Sequence, residues 1–343
     1  MLSTQYAIRV AQYPNNPVYD DIFNFDFLQE YLNKPPSYKG PFGFRVKPLL
    51  EEINFTKDIV FPCKPISSPW AWPRPEVDWS LSEFKKSETS SEIYLSKFAE
   101  VKASYADFKH IYTDGSKTDE AVAFAAYYSN LDFYHNGRLD PVSSVYSAEI
   151  FAIIQAFYII HASDCTKFVI FSDSKSSLQT LSQSDPINPF VCGLFKEYVK
   201  TLKAKKEVKF CWVPSHSGLP GNEKVDALAK EALTLESVDM DIQYVVASDY
   251  NQTVRQRLKT KHQASFDESV HNKLRQIQPS INYNSKIGVY SRKDEMVVTR
   301  LKIGHTYLTN GYLLRGEDPP YCHADECDIT VKHILTECWC FEE

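Results

Sequence analysis

Between residues 108 and 236 the sequence predicts an α/β fold: a five-stranded mixed sheet, three antiparallel strands plus two parallel, with flanking helices. Three observations predict it. Alternating runs at 111–116, 121–129 and 131–138 read as strands joined by short polar turns. The stretch 147–162 is apolar nearly all round, as a buried helix is, with Ser147 as its expected N-cap. Residues 167–172, Lys-Phe-Val-Ile-Phe-Ser, have few polar positions, as in a strand covered on both faces.

The remaining elements follow in order. Residues 174–183 and 189–204 read as helices, 208–213 as a fifth strand, and 222–235 as a helix with Val225, Leu228, Ala229, Ala232 and Leu233 on its apolar face. Asn136-Gly137 falls inside the third run and reads as a bulge or bend rather than a hairpin turn. The resulting order, βββαβααβα, is a meander feeding a mixed sheet.

On either side the texture differs. Eleven of the nineteen prolines precede residue 80, so residues 1–107 are expected to be a proline-rich extension of short elements and loops, with 82–92 as a linker. Residues 237–315 read as a basic helical linker region, with a helix or helical hairpin over 250–280. Residues 250–315 carry twelve Lys/Arg against four acids, whereas 316–343 carry eight acids and one lysine, Lys332. The basic stretch suits phosphate contact or, equally, a solvated helical face.

The apolar stretch around 150–160 is too short to span a bilayer, and the first residues lack the basic start and apolar run of a signal peptide. The expectation is an intracellular protein of the nucleus or cytoplasm, not secreted and without a membrane partner, and a monomer is assumed. With no secretory signal, the crowding of Cys322, Cys327, Cys338 and Cys340 into the last 22 residues reads as metal ligation rather than disulfides.

Four acids occupy four separate contexts. Asp114 stands before a turn glycine at the end of a strand run, Glu149 opens the apolar helix, Asp173 follows 168–172, and Asp226 lies on the last helix of the domain. Each has an ordinary reading: a turn residue, a helix-dipole partner, a helix cap, and an ion pair with Lys230. All four ordinary readings holding together is improbable. Acids that converge on one sheet edge need a compensating cation, which points to a divalent metal site.

Thr113-Asp-Gly-Ser116, Ala148-Glu149, Ser172-Asp-Ser174 and the stretch from Pro214-Ser-His216 through Gly221-Asn222 to Asp226 resemble the type 1 ribonuclease H family, over roughly residues 108–236. The resemblance implies that family's topology, with Asp114 on the central strand. It implies an endonuclease hydrolysing the RNA strand of RNA–DNA hybrids with two Mg²⁺ (or Mn²⁺) ions. Asp114 would bridge both ions, Asp226 would help hold the one that activates water, and Glu149 and Asp173 the one beside the leaving group. Glu149 would also meet a 2′-hydroxyl. His216, in a loop between strand and helix, suits a mobile general acid or a product-release aid. Asn222 is either the N-cap of its helix or, by resemblance, a substrate contact. Lys203 and Lys206, within a lysine-rich 196–209, are expected at the phosphates of the hybrid.

The tail pattern of Cys322, Cys327, His333 and Cys338 suits one structural Zn²⁺, with Cys340 as a spare ligand. Ile334 and Leu335 are expected to turn inward from a short helix bearing His333 and Cys338. The tail resembles the zinc-knuckle-like segment that follows the ribonuclease H domain in non-long-terminal-repeat retrotransposon polyproteins, although there the first pair is more often C-x₂-C. No Tyr-x-Asp-Asp of a reverse-transcriptase palm occurs. The alternative to an active nuclease is a decayed, nucleic-acid-binding retroelement remnant. A DNA transposase is disfavoured by the final helix and the Pro-Ser-His loop.

Overall fold

Side chains that alternate along a strand face opposite sides of a sheet, and here both sides are filled. The computed structural model describes residues 2–24, 34–35, 39–62, 73–84, 89–182, 188–234, 245–269, 275, 279–281 and 291–341. Its sheet is formed by β1 (Val77–Asp78), β2 (Lys109–Lys117), β3 (Val122–Tyr128), β4 (Phe133–Leu139), β5 (Lys167–Ser172) and β6 (Glu207–Trp212), in the order β1-β6-β5-β2-β3-β4. β2, β3 and β4 are antiparallel, while β5 pairs parallel with β2 and β6 parallel with β5. Three antiparallel and two parallel strands are thus in the expected places, with β2 in the interior.

The sheet has one strand more than the sequence predicts. β1, from the proline-rich segment, pairs parallel with β6 through Val77↔Phe210 and Asp78↔Cys211. Two residues carry no periodicity, so the pairing left no local signal. Asn136 and Gly137 sit inside β4, opposite Ala125 and Phe124, and are neither turn nor bulge.

On one face pack α5 (Val145–Ala162) and α7 (Pro189–Lys203), which follow α1 (Leu2–Ala11), α2 (Val18–Phe23), α3 (Phe42–Glu51), α4 (Ser91–Ser104) and, in the case of α7, α6 (Lys175–Thr180). Ile111, Phe124, Phe168, Ile170 and Phe210 of the strands meet Phe151, Phe157, Leu194 and Phe195 there. On the other face Tyr112, Val169, Phe171 and Cys211 meet α8 (Pro220–Thr234), through Val225, Leu228 and Ala229, together with Phe98 of α4. α5 has the length and composition of a membrane span, but every residue from Ser147 to Ile160 except Tyr158 is buried in the core. Its N-cap is Ser144, whose side chain accepts the Ser147 N–H, so Ser147 lies inside the helix instead of capping it.

The expected linker at 82–92 is also corrected. Ser80–Glu83 forms a 3₁₀ turn and α4 begins at Ser91, while 85–88 lie outside the described residues. Tyr94 and Phe98, one helical turn apart, are buried, and the Phe98 ring meets Phe171 edge-on at 5.3 Å. The first residues of α9 (Ala247–Glu268) and the residue before it likewise belong to the core: Val246, Ala247, Tyr250 and Val254 are buried. Phe61 N–H donates to Val245 O at 3.0 Å, and the Phe55 ring contacts Tyr250.

The chain divides into two compact units, Met1–Val254 and Arg255–Glu343. The second contains the rest of α9, then α10 (Arg292–Lys302), α11 (Tyr307–Asn310), α12 (Tyr312–Arg315), the hairpin β7 (Tyr321–Cys322) and β8 (Cys327–Asp328), and α13 (Val331–Thr336). Most of 270–280, where a second arm of a helical hairpin was possible, lies outside the described residues.

A candidate metal centre and a cysteine–histidine cluster

The acidic site forms where two strands part. β2 and β5 stay paired up to Thr113↔Ser172, after which β2 continues with β3 alone to Lys117↔Val122. Asp114 is the first residue of β2 beyond that fork, and Asp173 is the first residue after β5. Asp114 is therefore mid-strand, not terminal.

Glu149 comes from the second turn of α5, brought close by Gly115. A Cβ on Gly115 would lie 2.7 Å from Glu149 N and 3.0 Å from the Ala148 carbonyl carbon, so only glycine admits the helix backbone here. Asp114, Glu149 and Asp173 each offer an oxygen within 4.8 Å of the others.

Asp226 is placed by α8, which rides on the ring of Tyr112. A Cβ on Gly221 would fall 2.3 Å from that ring, so this glycine too permits a close approach. Asp226 clusters with His216 and Glu223, their ligand atoms within 4.8 Å of one another. Its charge is felt at both Asp114 and Asp173. The ordinary reading of Asp226 also holds: Lys230 Nζ is 2.6 Å from its Oδ2.

The electrostatics follow from this crowding. Burial first, then Asp173 and Asp226, push the Asp114 carboxyl up to about 8. Burial, then Asp114 and Asp173, hold Glu149 well above the carboxylate range, and burial also raises Asp173. Glu149 Oε2 is buried without a hydrogen-bond partner. An orphaned carboxylate oxygen beside two further raised acids fits a divalent cation, which would satisfy the oxygen and reverse all three shifts.

Asn222 is the third residue of α8, not its cap; at 2% exposed it donates Nδ2–H to Asp173 Oδ2 at 3.3 Å. It orients a prospective ligand. His216 is exposed at φ 48°, beside Gly218 at φ 74°, a left-handed turn pinned by Gly218 N–H donating to Glu223 Oε1 at 3.2 Å. Glu223 escaped the sequence reading, although its place three residues before Asp226 puts both on one helix face.

The two lysines part company. Lys203 is exposed in the last turn of α7. Lys206 is not held out to a substrate: its ammonium donates to Ile160 O at 2.7 Å and to Ser163 O, neutralising the C-terminus of α5.

In the second unit, Cys322 and Cys327 face each other across the β7–β8 pair. Thr330 caps α13, accepting the His333 N–H at 3.0 Å, and Cys338 N–H returns to His333 O at 2.8 Å. Cys322 Sγ lies 3.8 Å from Cys338 Sγ, and Cys327 Sγ 3.5 Å from His333 Nδ1. Tetrahedral zinc with Zn–S near 2.3 Å and Zn–N near 2.05 Å requires edges of about 3.8 Å and about 3.5 Å. Asp325, absent from the expected ligand set, takes the place of Cys327 in the tightest group, where the ligand atoms of Cys322, Asp325, His333 and Cys338 all lie within 4.8 Å of one another; its Oδ2 is 3.3 Å from His333 Nε2 and accepts the Trp339 N–H. Val331 and His333 are the buried residues of α13, whereas Leu335 is 55% exposed; Cys338 lies beyond the helix, and Cys340 is exposed.

Against known protein families, residues 107–234 match the RNase H family model, and an RNase H domain occupies that segment.

Proposed function

We propose that this domain is a metal-dependent endonuclease that hydrolyses the RNA strand of RNA–DNA hybrids. One observation carries the reading: two buried carboxylates and a half-buried third with oxygens within 4.8 Å of one another, one oxygen orphaned, in a domain of this family. Asp114, Glu149 and Asp173 would hold one Mg²⁺ or Mn²⁺, and Asp114 with Asp226 a second. Bound there, two such ions would supply an activated water and charge relief at the leaving oxygen.

The chain's own residues do the rest. Asn222 fixes the rotamer of Asp173. The exposed His216, in its strained turn beside Glu223 and Asp226, is placed to act as a mobile general acid or to ease product release. Glu149, which α5 brings to the fork between β2 and β5, is where a ribose 2′-hydroxyl would be recognised. Lys203 is an available phosphate contact. The Cys322–Cys338 and Cys327–His333 spacings support one structural Zn²⁺ in the tail, held by Cys322, His333 and Cys338 with Cys327 or Asp325 as the fourth ligand. An RNase H domain followed by such a cluster also supports an origin in a retrotransposon polyprotein and an intracellular site of action.

The test is purified protein with a labelled RNA–DNA hybrid. Cleavage of the RNA strand that needs Mg²⁺ or Mn²⁺ and is lost in Asp114→Asn is expected. Hybrid binding without any metal-dependent cleavage would select the decayed, binding-only alternative.

A further inference from the structure

The N-terminus of α5 decides where Glu149 stands, and a residue far away in the chain holds it. Ser144 caps the helix, accepting the Ser147 N–H at 3.1 Å. In a reciprocal cap, the residue three places in reaches back with a carboxylate or amide to the cap's own N–H. That residue here is Ser147, too short to do so; its Oγ instead accepts from Ser144 Oγ at 3.2 Å. The missing acceptor comes from α9, 105 residues on: Asp249 Oδ2 takes the Ser144 N–H at 3.0 Å.

Asp249 is 5% exposed. A carboxylate so buried needs several partners, and the hydroxyl of Ser147 and the charge of Lys117 supply them alongside the Ser144 amide. Its place is set by its neighbours, since Val245, Val246, Ala247, Tyr250 and Val254 are all buried. From the opposite side Lys117, the last residue of β2, donates to Ser143 O. The turn into α5 is therefore gripped by the strand that bears Asp114 and by α9 together, and Glu149 follows two residues after Ser147.

We propose that Asp249 is a positioning residue for the metal centre: it completes the cap of α5 in trans and thereby sets the Glu149 carboxylate against Asp114. Residues 245–254, outside the 107–234 match, are then part of the functional domain. The inference rests on reading the acids as a divalent-metal site.

Its test is Mn²⁺ binding to the full chain, followed by the electron-spin resonance of the free ion, with Asp114→Asn as the blank. Removing a residue that orients a ligand weakens metal affinity by about tenfold or more, so about tenfold is expected for Asp249→Ala and about threefold for Asp249→Asn, whose amide keeps one acceptor. Both losses should vanish in a Glu149→Gln background. Val46→Ala, a core truncation in α3 that has no part in the cap, should lower the melting temperature and leave the affinity unchanged.

Folded Asp249→Ala with wild-type affinity would overturn the proposal, as would an equal loss in the Glu149→Gln background. If Asp249→Ala does not fold, Asp249→Asn decides on the same two criteria. Glu149-dependent Mn²⁺ binding without hybrid cleavage would remove the nuclease reading and leave the role of Asp249 standing. A wild-type chain without Glu149-dependent Mn²⁺ binding would overturn both.

Discussion

Replacing Asp114 by Asn should destroy activity and, in the absence of metal, stabilise the fold. Asp114 is 6% exposed, and burial with Asp173 and Asp226 nearby moves its carboxyl from 3.8 to about 8. A carboxyl that holds its proton more tightly in the folded than in the unfolded chain favours folding when protonated. That contribution is complete below the unfolded value near 4 and is lost as pH rises through about 8. At 1.36 kcal/mol per tenfold change, the loss across this window has an upper bound on the order of 5 kcal/mol. Asn has the same shape and no charge to bury, so the variant escapes it. Denaturant unfolding in EDTA should show Asp114→Asn more stable than the wild type at pH 9, by about 2–5 kcal/mol, with the gap closing towards pH 4. Any effect of EDTA on the cysteine–histidine cluster is common to both proteins and cancels in the difference. Mg²⁺ should stabilise the wild type at pH 9 and leave the variant unmoved. A variant no more stable than wild type at pH 9, or a gap that does not depend on pH, would refute the crowded-acid account.

Gly115→Ala must push α5 away from β2, because its Cβ would meet Glu149 N at 2.7 Å; about 1–3 kcal/mol of destabilisation and loss of cleavage are expected from unfolding curves and hybrid assays. Lys230→Gln removes the ammonium 2.6 Å from Asp226, so Mn²⁺ should bind a few-fold more tightly in titrations, with stability changed by no more than about 0.5 kcal/mol. His216→Ala should lower kcat by about 100-fold, the low end for an acid/base group, without reaching the inactivity of Asp114→Asn. Chelation under reducing conditions should release one zinc and expose the 316–341 segment to protease while the RNase H domain stays resistant; protein without tightly held zinc, by metal analysis, would refute the tail site.

What could be read from the sequence was what is encoded locally. The run 167–172 is apolar because β5 is covered on both faces, and its bounds match the strand. The four acids were legible because each sits in its own short context. Their grouping was not, since Asp226 meets His216 and Glu223 while Asp114, Glu149 and Asp173 form the tighter knot. For Asp226 the plain and the sharp readings turn out to be compatible. An i,i+4 lysine pairs with it because a crowd of acids raises the local negative potential, and the same potential is what would draw a metal.

What escaped has partners remote in sequence. β1 exists because Val77 and Asp78 find Phe210 and Cys211, more than 130 residues on. The Asp78 carboxylate then takes the Tyr105 hydroxyl at 2.9 Å, tying the end of α4 to the sheet edge. Lys206 looked like a phosphate contact because lysines cluster around it, but a strand starting beside the C-terminus of α5 puts its ammonium on the helix carbonyls. Asp249 belongs to no motif, and its meaning depends on Ser144, 105 residues earlier, whose N–H it accepts. A family pattern marks the residues that touch the reaction. The acceptor that holds one of their helices in place is set by the three-dimensional closure of the chain, and it lies past the point where the pattern stops.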